Sequence, residues 1–205
     1  GFEDIAFFFE KTGKFEGMHK KGYLDAVAAL MMQQIPVPHL DPADWRGSLR
    51  AAYREARDAY RRFPRALLIA LDETLTPAGI DPRRVVLAES MLGFFVEIGL
   101  SLQRAVAARD AFLIDTFGFA LTVDYRYDRS EGSARDAVVQ PVPASWLDAL
   151  PDVPAPLSRR AAALPPPTSD AVFDAFVDMR IAAIGCMIAE GTWEEGARSS
   201  ARRPR

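Results

Sequence analysis

The sequence predicts an all-α protein, and three observations support that class. Residues that start and end helices recur along the chain, no segment shows the sustained apolar–polar alternation of a strand, and the last long apolar segment has helical spacing. The composition is 49% hydrophobic and 26% charged, which is ordinary for a globular protein. A chain of 205 residues can bury its own core without disulfides or metals.

Two Asp-Pro pairs mark the starts of helices. An aspartate accepts hydrogen bonds from the free N–H groups of the first turn, and a proline has no N–H to lose there. The pair at 41–42 predicts a helix that reaches about residue 62, and we expect its many arginines to form a solvated face. The pair at 81–82 predicts a helix that ends at Gly99.

Two further breaks define the elements beside these helices. A proline is tolerated in the first turn of a helix, so Pro64 predicts a short helix through Leu71. A serine side chain can cap a first turn, so Ser101 predicts the start of a helix that reaches about Asp124.

The chain from 125 to 167 is polar and then rich in Pro and Ala, which favours an irregular segment. We expect two short helices in it, one after Ser145 and one near 159–164. Ser169 then caps a final helix that we expect to end at Gly191.

Charge and cysteine content narrow the class of protein. The formal net charge is −3, so the chain lacks the basic surface of a self-sufficient nucleic-acid binder. The single cysteine, Cys186, allows no internal disulfide and fits a reducing cytoplasm. No apolar run approaches the roughly 20 residues that span a bilayer, so we expect no membrane partner.

Enzyme signatures are scarce. The two histidines, His19 and His39, belong to no metal-binding or nucleophile motif, and no glycine-rich phosphate loop is present. We therefore expect no catalytic residues, no cofactor and no metal site. A helical enzyme stays open as an alternative, which would need paired titratable groups inside a cavity.

The last two long helices are apolar on more than one side. One core-facing side needs a stripe of roughly 100°, and these helices exceed it. The second side predicts a homodimer, although the Pro-rich segment could cover it instead. The residues expected at the dimer interface are Phe117, Phe173, Phe176, Ile184 and Met187.

Methionines and aromatic residues on these helices are candidates to line a pocket for a small hydrophobic effector, because such pockets are mainly apolar. The alternative is that they form plain core. Asp115 could point into that pocket or pair with Arg109 or Arg180. The expected ligand-binding residues are Met31, Met91, Phe94, Phe95, Phe112, Asp115, Thr116 and Met179.

A series of short segments in fixed order carries a family resemblance. They are Lys20 with residues 23–27, residues 44–46 with Leu49, residues 61–64, residues 99–102 with Ala105, and residues 117–121. Together they resemble the ligand-binding and dimerisation domain of TetR-family transcriptional repressors, in the branch with a tetracycline-repressor-like C-terminal domain. The resemblance implies an antiparallel helical bundle whose last two long helices pack against the same pair of a second subunit.

The resemblance also implies a division of the chain. Residues 21–192 would be the ligand-binding and dimerisation domain, residues 1–20 a truncated, incomplete or divergent helix-turn-helix region, and residues 193–205 a disordered basic tail. Lys20 would contact a DNA phosphate in the intact protein. Members that bind a magnesium–tetracycline complex use a histidine that residues 71–74 lack, so neither that drug nor a metal is implied.

The predicted function is a cytoplasmic, homodimeric, ligand-responsive repressor. It would bind operator DNA through the N-terminal head of the intact protein and respond to a small apolar effector in its helical domain. The alternative is a helical protein that binds or sequesters a small molecule without binding DNA.

Overall fold

The structure is a computed structural model that describes residues 35–64 and 82–201, with side chains through residue 191. The described residues contain no strand, which confirms the all-α class. Their elements are α1 (Trp45–Arg62), α2 (Pro82–Glu97), α3 (Leu102–Phe119), a π-helical turn (Ala120–Asp124), α4 (Tyr125–Tyr127), α5 (Gly132–Val139), α6 (Ala144–Ala149), α7 (Pro156–Ala162) and α8 (Ser169–Ala201).

Helix α1 begins later than the sequence predicts. Asp44, not Asp41, caps it, and its carboxylate accepts a hydrogen bond from the Gly47 N–H at 3.1 Å. Asp41 instead accepts from the Ala43 N–H at 2.9 Å, which makes a local turn before the helix. A Cβ at residue 47 would lie 2.1 Å from Asp44 Oδ2, so a larger residue there would make the capping carboxylate move.

The turn between α2 and α3 matches the sequence-based expectation. Pro82 is the first residue of α2, and Gly99 follows the helix with a φ of 105°. The Leu100 N–H donates to the Phe95 carbonyl at 3.0 Å, which satisfies a carbonyl at the helix end. Ser101 then caps α3 by accepting from the Arg104 N–H. The short turn lays α2 against α3.

The C-terminal end of α3 is interrupted by one extra residue. In the π-helical turn the Tyr125 N–H donates to the Ala120 carbonyl, five residues back. The turn brings Asp124 into the interior, where it is fully buried. Beyond it, α6 and α7 lie where two short helices were expected, whereas α5 forms within a segment expected to be irregular.

Helix α8 differs from its prediction at both ends. Thr168, not Ser169, caps it, because Thr168 Oγ1 accepts from the Ala171 N–H at 3.1 Å while the Ser169 side chain is turned inward. The helix also continues past Gly191 to Ala201, into the segment expected to be a tail. A lone glycine costs a helix interior only about 1 kcal/mol, so it need not end the helix.

Helices α1, α3 and α8 enclose the core, and α2 covers α3. The largest fully buried apolar side chains are Leu49, Tyr53, Phe95, Phe173 and Val177. Salt bridges that join residues 50 and 54 of α1 to 178 and 174 of α8 show that these two helices are antiparallel. Within the described part of the chain, no helix is both long and apolar enough to cross a bilayer.

Candidate ligand-binding site

A cavity of about 460 Å³ lies between α1, α2, α3 and the segment before α1. This volume falls in the range of small-molecule pockets. The described residues that line it are Ile35, Pro36, Pro38, Ala52, Glu55, Ala56, Tyr60, Arg84, Leu87, Ala88, Met91, Arg109, Phe112, Leu113, Ile114 and Phe117.

Small residues on two helices leave the space open. Ala52, Ala56 and Tyr60 recur every four residues, so they share one side of α1. Ala88 is the small residue that α2 contributes to the wall. The bulky walls come mainly from α3, where Phe117 packs edge to face on Tyr60 with ring centroids 5.6 Å apart.

Few of the described lining residues are polar. They are Arg84, Arg109, Glu55 and Tyr60. Burial raises the pKa of Tyr60 above 10.0, and the positive charges of Arg109 and Arg84 oppose that rise. The phenol is therefore protonated at neutral pH and is a hydrogen-bond donor.

A buried polar cluster lies behind the Phe112 wall. The Tyr53 hydroxyl donates to Asp115 Oδ2 at 3.1 Å, and Arg180 Nη2 donates to Asp115 Oδ1 at 2.8 Å. Arg180 Nε is 2.7 Å from Oδ2 without the alignment of a hydrogen bond. Burial, followed by the charge and hydrogen bond of Asp115, raises the pKa of Tyr53. The Phe112 ring meets Tyr53 edge to face, with centroids 4.7 Å apart.

Asp115 therefore adopts the ion-paired arrangement, with Arg180 as its partner, and it does not line the cavity. Of the residues expected to bind ligand, Met91 and Phe112 line the cavity. Phe95 and Thr116 are buried in the core, where Thr116 Oγ1 donates to the Phe112 carbonyl at 2.8 Å.

The other expected ligand-binding residues lie elsewhere. Phe94 borders a shallow groove on the outer side of α2. Met179 is 65% exposed on α8 and lines neither the cavity nor that groove. Met31 lies outside the described residues, as does Lys20, the expected DNA-phosphate contact.

The residues expected at a dimer interface fall into three environments. Phe173 and Ile184 are 0% and 5% exposed in the core of the single chain, so their side chains contact their own subunit. Phe117 lines the cavity. Phe176 and Met187 are half-buried on α8 and pack at the edge of the core.

Sequence reasoning missed Tyr60, Arg84 and Arg109 as cavity residues. The repeat of Ala52, Ala56 and Tyr60 at four-residue spacing was a usable signal, because two small residues followed by an aromatic leave a recess on one helix side. The arginines carried no such signal, since packing decides which side of α2 and α3 faces the cavity.

The opposite side of α1 carries arginines that are paired and not simply solvated. Arg57 forms a bidentate ion pair with Asp124, with contacts of 2.8 and 2.7 Å, and the two side chains are 5% and 0% exposed. Arg57 also donates to Ser169 Oγ at 3.2 Å. Its guanidinium lies over the rings of Phe119 and Phe173. This pair fastens α1 to the π-helical turn and to the start of α8.

Three more arginines extend this series along α1. Arg54 makes a bidentate contact with Asp174 at 2.9 and 2.8 Å. Arg50 pairs with Asp178, and Arg61 pairs with Asp128 and Asp170. We call the contacts of residues 50, 54, 57 and 61 with these aspartates the arginine ladder.

The described residues thus form an antiparallel helical bundle with an apolar cavity that carries a few polar groups. The described residues contain no group of three His, Cys, Asp or Glu side chains placed to hold a metal ion.

Residues 37–177 match the family model described as tetracyclin repressor-like, C-terminal domain. The match covers more than half of the chain, which therefore belongs to this family, and the resemblance drawn from the short segments is confirmed. The chain is thus placed among TetR-type regulators. A comparison with curated proteins finds no matching relative.

Proposed function

We propose that the chain is the effector domain of a ligand-responsive transcriptional repressor. The observation that supports this role most strongly is the apolar cavity between α1, α2 and α3. A small apolar effector bound there would favour the arrangement of the helices that accommodates it best. It can change DNA binding only through its difference in affinity between two arrangements.

The DNA-binding step is assigned to the N-terminal head of the intact protein. Lys20 would contact a phosphate of the operator, which adds affinity without reading sequence. A regulator of this kind works in the cytoplasm and needs no membrane partner.

A homodimer completes the proposal. The outer sides of α3 and α8 expose large apolar side chains, with Leu102 at 64%, Ile114 at 71% and Met179 at 65%. Phe176 and Met187 border the same side of α8. Burying these residues against a second copy would remove apolar surface from water, which favours association.

The buried polar cluster offers a physical link between the cavity and α8. Phe112 lines the cavity and contacts Tyr53, and Tyr53 shares Asp115 with Arg180 of α8. A ligand that displaces the Phe112 ring would disturb this hydrogen-bonded group. We propose that the position of α8, and with it the spacing of two DNA-binding heads, responds to ligand through this contact.

Filling the cavity tests the ligand role. Ala88→Phe places a ring in the cavity, and the matched control Ala51→Phe adds the same ring at an exposed position of α1. We expect native mass spectrometry to find a small molecule that co-purifies with the parent chain and the control, and not with Ala88→Phe. Retention of the same molecule by Ala88→Phe would place its site elsewhere.

The DNA-binding part of the proposal is tested by a mobility-shift assay of the intact protein with the DNA upstream of its own operon. We expect a shifted band that the co-purified molecule weakens. Ligand binding without any shift would instead support the small-molecule-sequestering alternative.

The dimer is tested by sedimentation. Leu102→Glu and Met179→Glu each introduce a charge on the proposed interface, and Leu157→Glu is the control because Leu157 is 73% exposed on α7. We expect twice the chain mass for the parent and the control, and a shift to the single-chain mass for the two interface variants. A monomeric parent would contradict the proposal.

A further inference from the structure

The charged groups on the cavity wall are unequal in number. Among the described lining residues, Arg84 and Arg109 are basic, whereas Glu55 is the acidic one. The arginines come from α2 and α3, and Glu55 comes from α1. The remaining described lining is apolar apart from Tyr60, so basic side chains outnumber acidic ones among the described lining residues.

The two arginines line the same cavity as Tyr60. The charge of each opposes the larger rise that burial causes in the pKa of Tyr60. Tyr60 is 7% exposed, and its ring is fixed against Phe117. The described lining of this mostly apolar cavity therefore includes one phenol and two guanidinium groups.

Arg109 retains donors for a ligand. Its Nη1 is 2.8 Å from Oδ1 of the neighbouring Asp110, and the two side chains are 32% and 52% exposed. Water screens such a pair, so it competes weakly with a ligand carboxylate held in an apolar cavity. A guanidinium has five N–H donors, and the contact with Asp110 occupies one nitrogen.

We propose that the cavity selects an amphipathic organic anion, with an apolar body against Ala56, Met91 and Phe112 and a carboxylate head at Arg109, Arg84 and Tyr60. This inference rests on the proposed ligand-binding role of the cavity. Guanidinium groups recognise carboxylates by paired, charge-assisted hydrogen bonds. The protonated phenol adds a third donor.

Three probes that share the same alkyl chain and differ in head group separate the contribution of the head group to affinity from that of the apolar body. Decanoate, decan-1-ol and decylamine are titrated into the whole 205-residue chain by isothermal calorimetry. We expect decanoate to bind about tenfold tighter than decan-1-ol, as hydrogen bonds to a charged group imply. Arg109→Gln should weaken that preference and leave the affinity for decan-1-ol unchanged. Arg160→Gln, at an exposed position of α7, should behave as the parent chain.

The outcomes separate this inference from the proposed function. Equal affinities for decanoate and decan-1-ol would overturn the anion preference while supporting an apolar ligand site. Tightest binding of decylamine would overturn it in favour of recognition by Glu55. Binding of none of the three would overturn it and would also count against the cavity as a ligand site.

Discussion

Helix α1 is held differently on its two sides. One side carries Ala52 and Ala56, which leave an open cavity against α2 and α3. The other side carries the arginine ladder, in which each guanidinium has a carboxylate partner on α8, directly after α4 or in the π-helical turn. Charged pairs thus join α1 to its neighbours on one side, while its other side borders unfilled space.

Among the contacts of the arginine ladder, the buried pair of Arg57 and Asp124 should contribute most to the free energy of unfolding. Arg57→Ala leaves the Asp124 carboxylate buried without its partner, and removing one member of a buried pair costs about 3–5 kcal/mol. We expect the free energy of unfolding in urea to fall by about that amount. Arg57→Ala combined with Asp124→Ala removes both charges, so its loss should be well below the sum of the two single losses. An additive double variant would show that the pair is not coupled.

The next largest loss of stability is expected for changes to the polar cluster behind the cavity. Asp115→Asn removes the charge that Arg180 and the Tyr53 hydroxyl share, so we expect a loss of about 1.5–3 kcal/mol in urea unfolding. Tyr53→Phe is the matched control, because it removes one hydrogen bond and keeps the charge pair, for about 1 kcal/mol. A larger loss for Tyr53→Phe than for Asp115→Asn would reverse the roles given to these groups.

A substitution that fills the cavity beside α1 should raise the stability of the protein and not lower it. Ala88→Phe fills apolar space, and filling a cavity commonly adds about 0.5–2 kcal/mol of stability. We expect a higher thermal midpoint for this variant in ligand-free protein, and no gain for Ala51→Phe. A clear loss for Ala88→Phe would show that the cavity wall is as rigid as the ladder side.

The exposed steps of the ladder should contribute least. Arg54 and Asp174 have side chains that are 53% and 41% exposed, so water screens the pair. We expect Arg54→Ala to cost about 0.2–1 kcal/mol in urea unfolding. A loss comparable to that of Arg57→Ala would mean that the contacts of the ladder act as one unit. Their contributions to stability would then not depend on burial.

The ladder also predicts an acid dependence of stability. The hydrogen bonds from Arg61 and Arg54, followed by their charges, hold the pKa values of Asp128 and Asp174 below the ordinary 3.8. A carboxyl with a depressed folded pKa stabilises the protein above its unfolded value and loses that contribution as pH falls through the folded value. We therefore expect the free energy of unfolding to fall below about pH 4, and to fall less steeply in Arg54→Ala. If the free energy of unfolding falls with pH as steeply in Arg54→Ala as in the parent chain, Asp174 is excluded as a source of this acid dependence.

Local rules predicted the helical class and the turn at Gly99 and Ser101, because one glycine and one serine leave little choice there. They misplaced two caps, since Asp41 competes with Asp44 three residues later and Ser169 with Thr168 one residue earlier. In each case the capping residue is the one whose side chain is not held by packing. That side chain can turn back and accept a hydrogen bond from the backbone.

The candidate site was only partly predictable for a related reason. Met91 and Phe112 stood out because large apolar residues at helical spacing must be buried somewhere. Whether they meet a cavity or solid core depends on small residues of another helix, here Ala52 and Ala56. The same spacing rule could not separate Phe112 from Phe95, which is fully buried in the core.

The π-helical turn at Ala120–Asp124 sets the rotation of the residues that follow α3. A residue added to a regular α-helix rotates everything after it by about 100°, whereas a wider turn absorbs that residue locally. Without the wider turn, the same residues wound as a regular α-helix would turn Asp124 and Asp128 away from Arg57 and Arg61, although every charged residue was still present. Conserving charge alone would therefore not preserve these contacts.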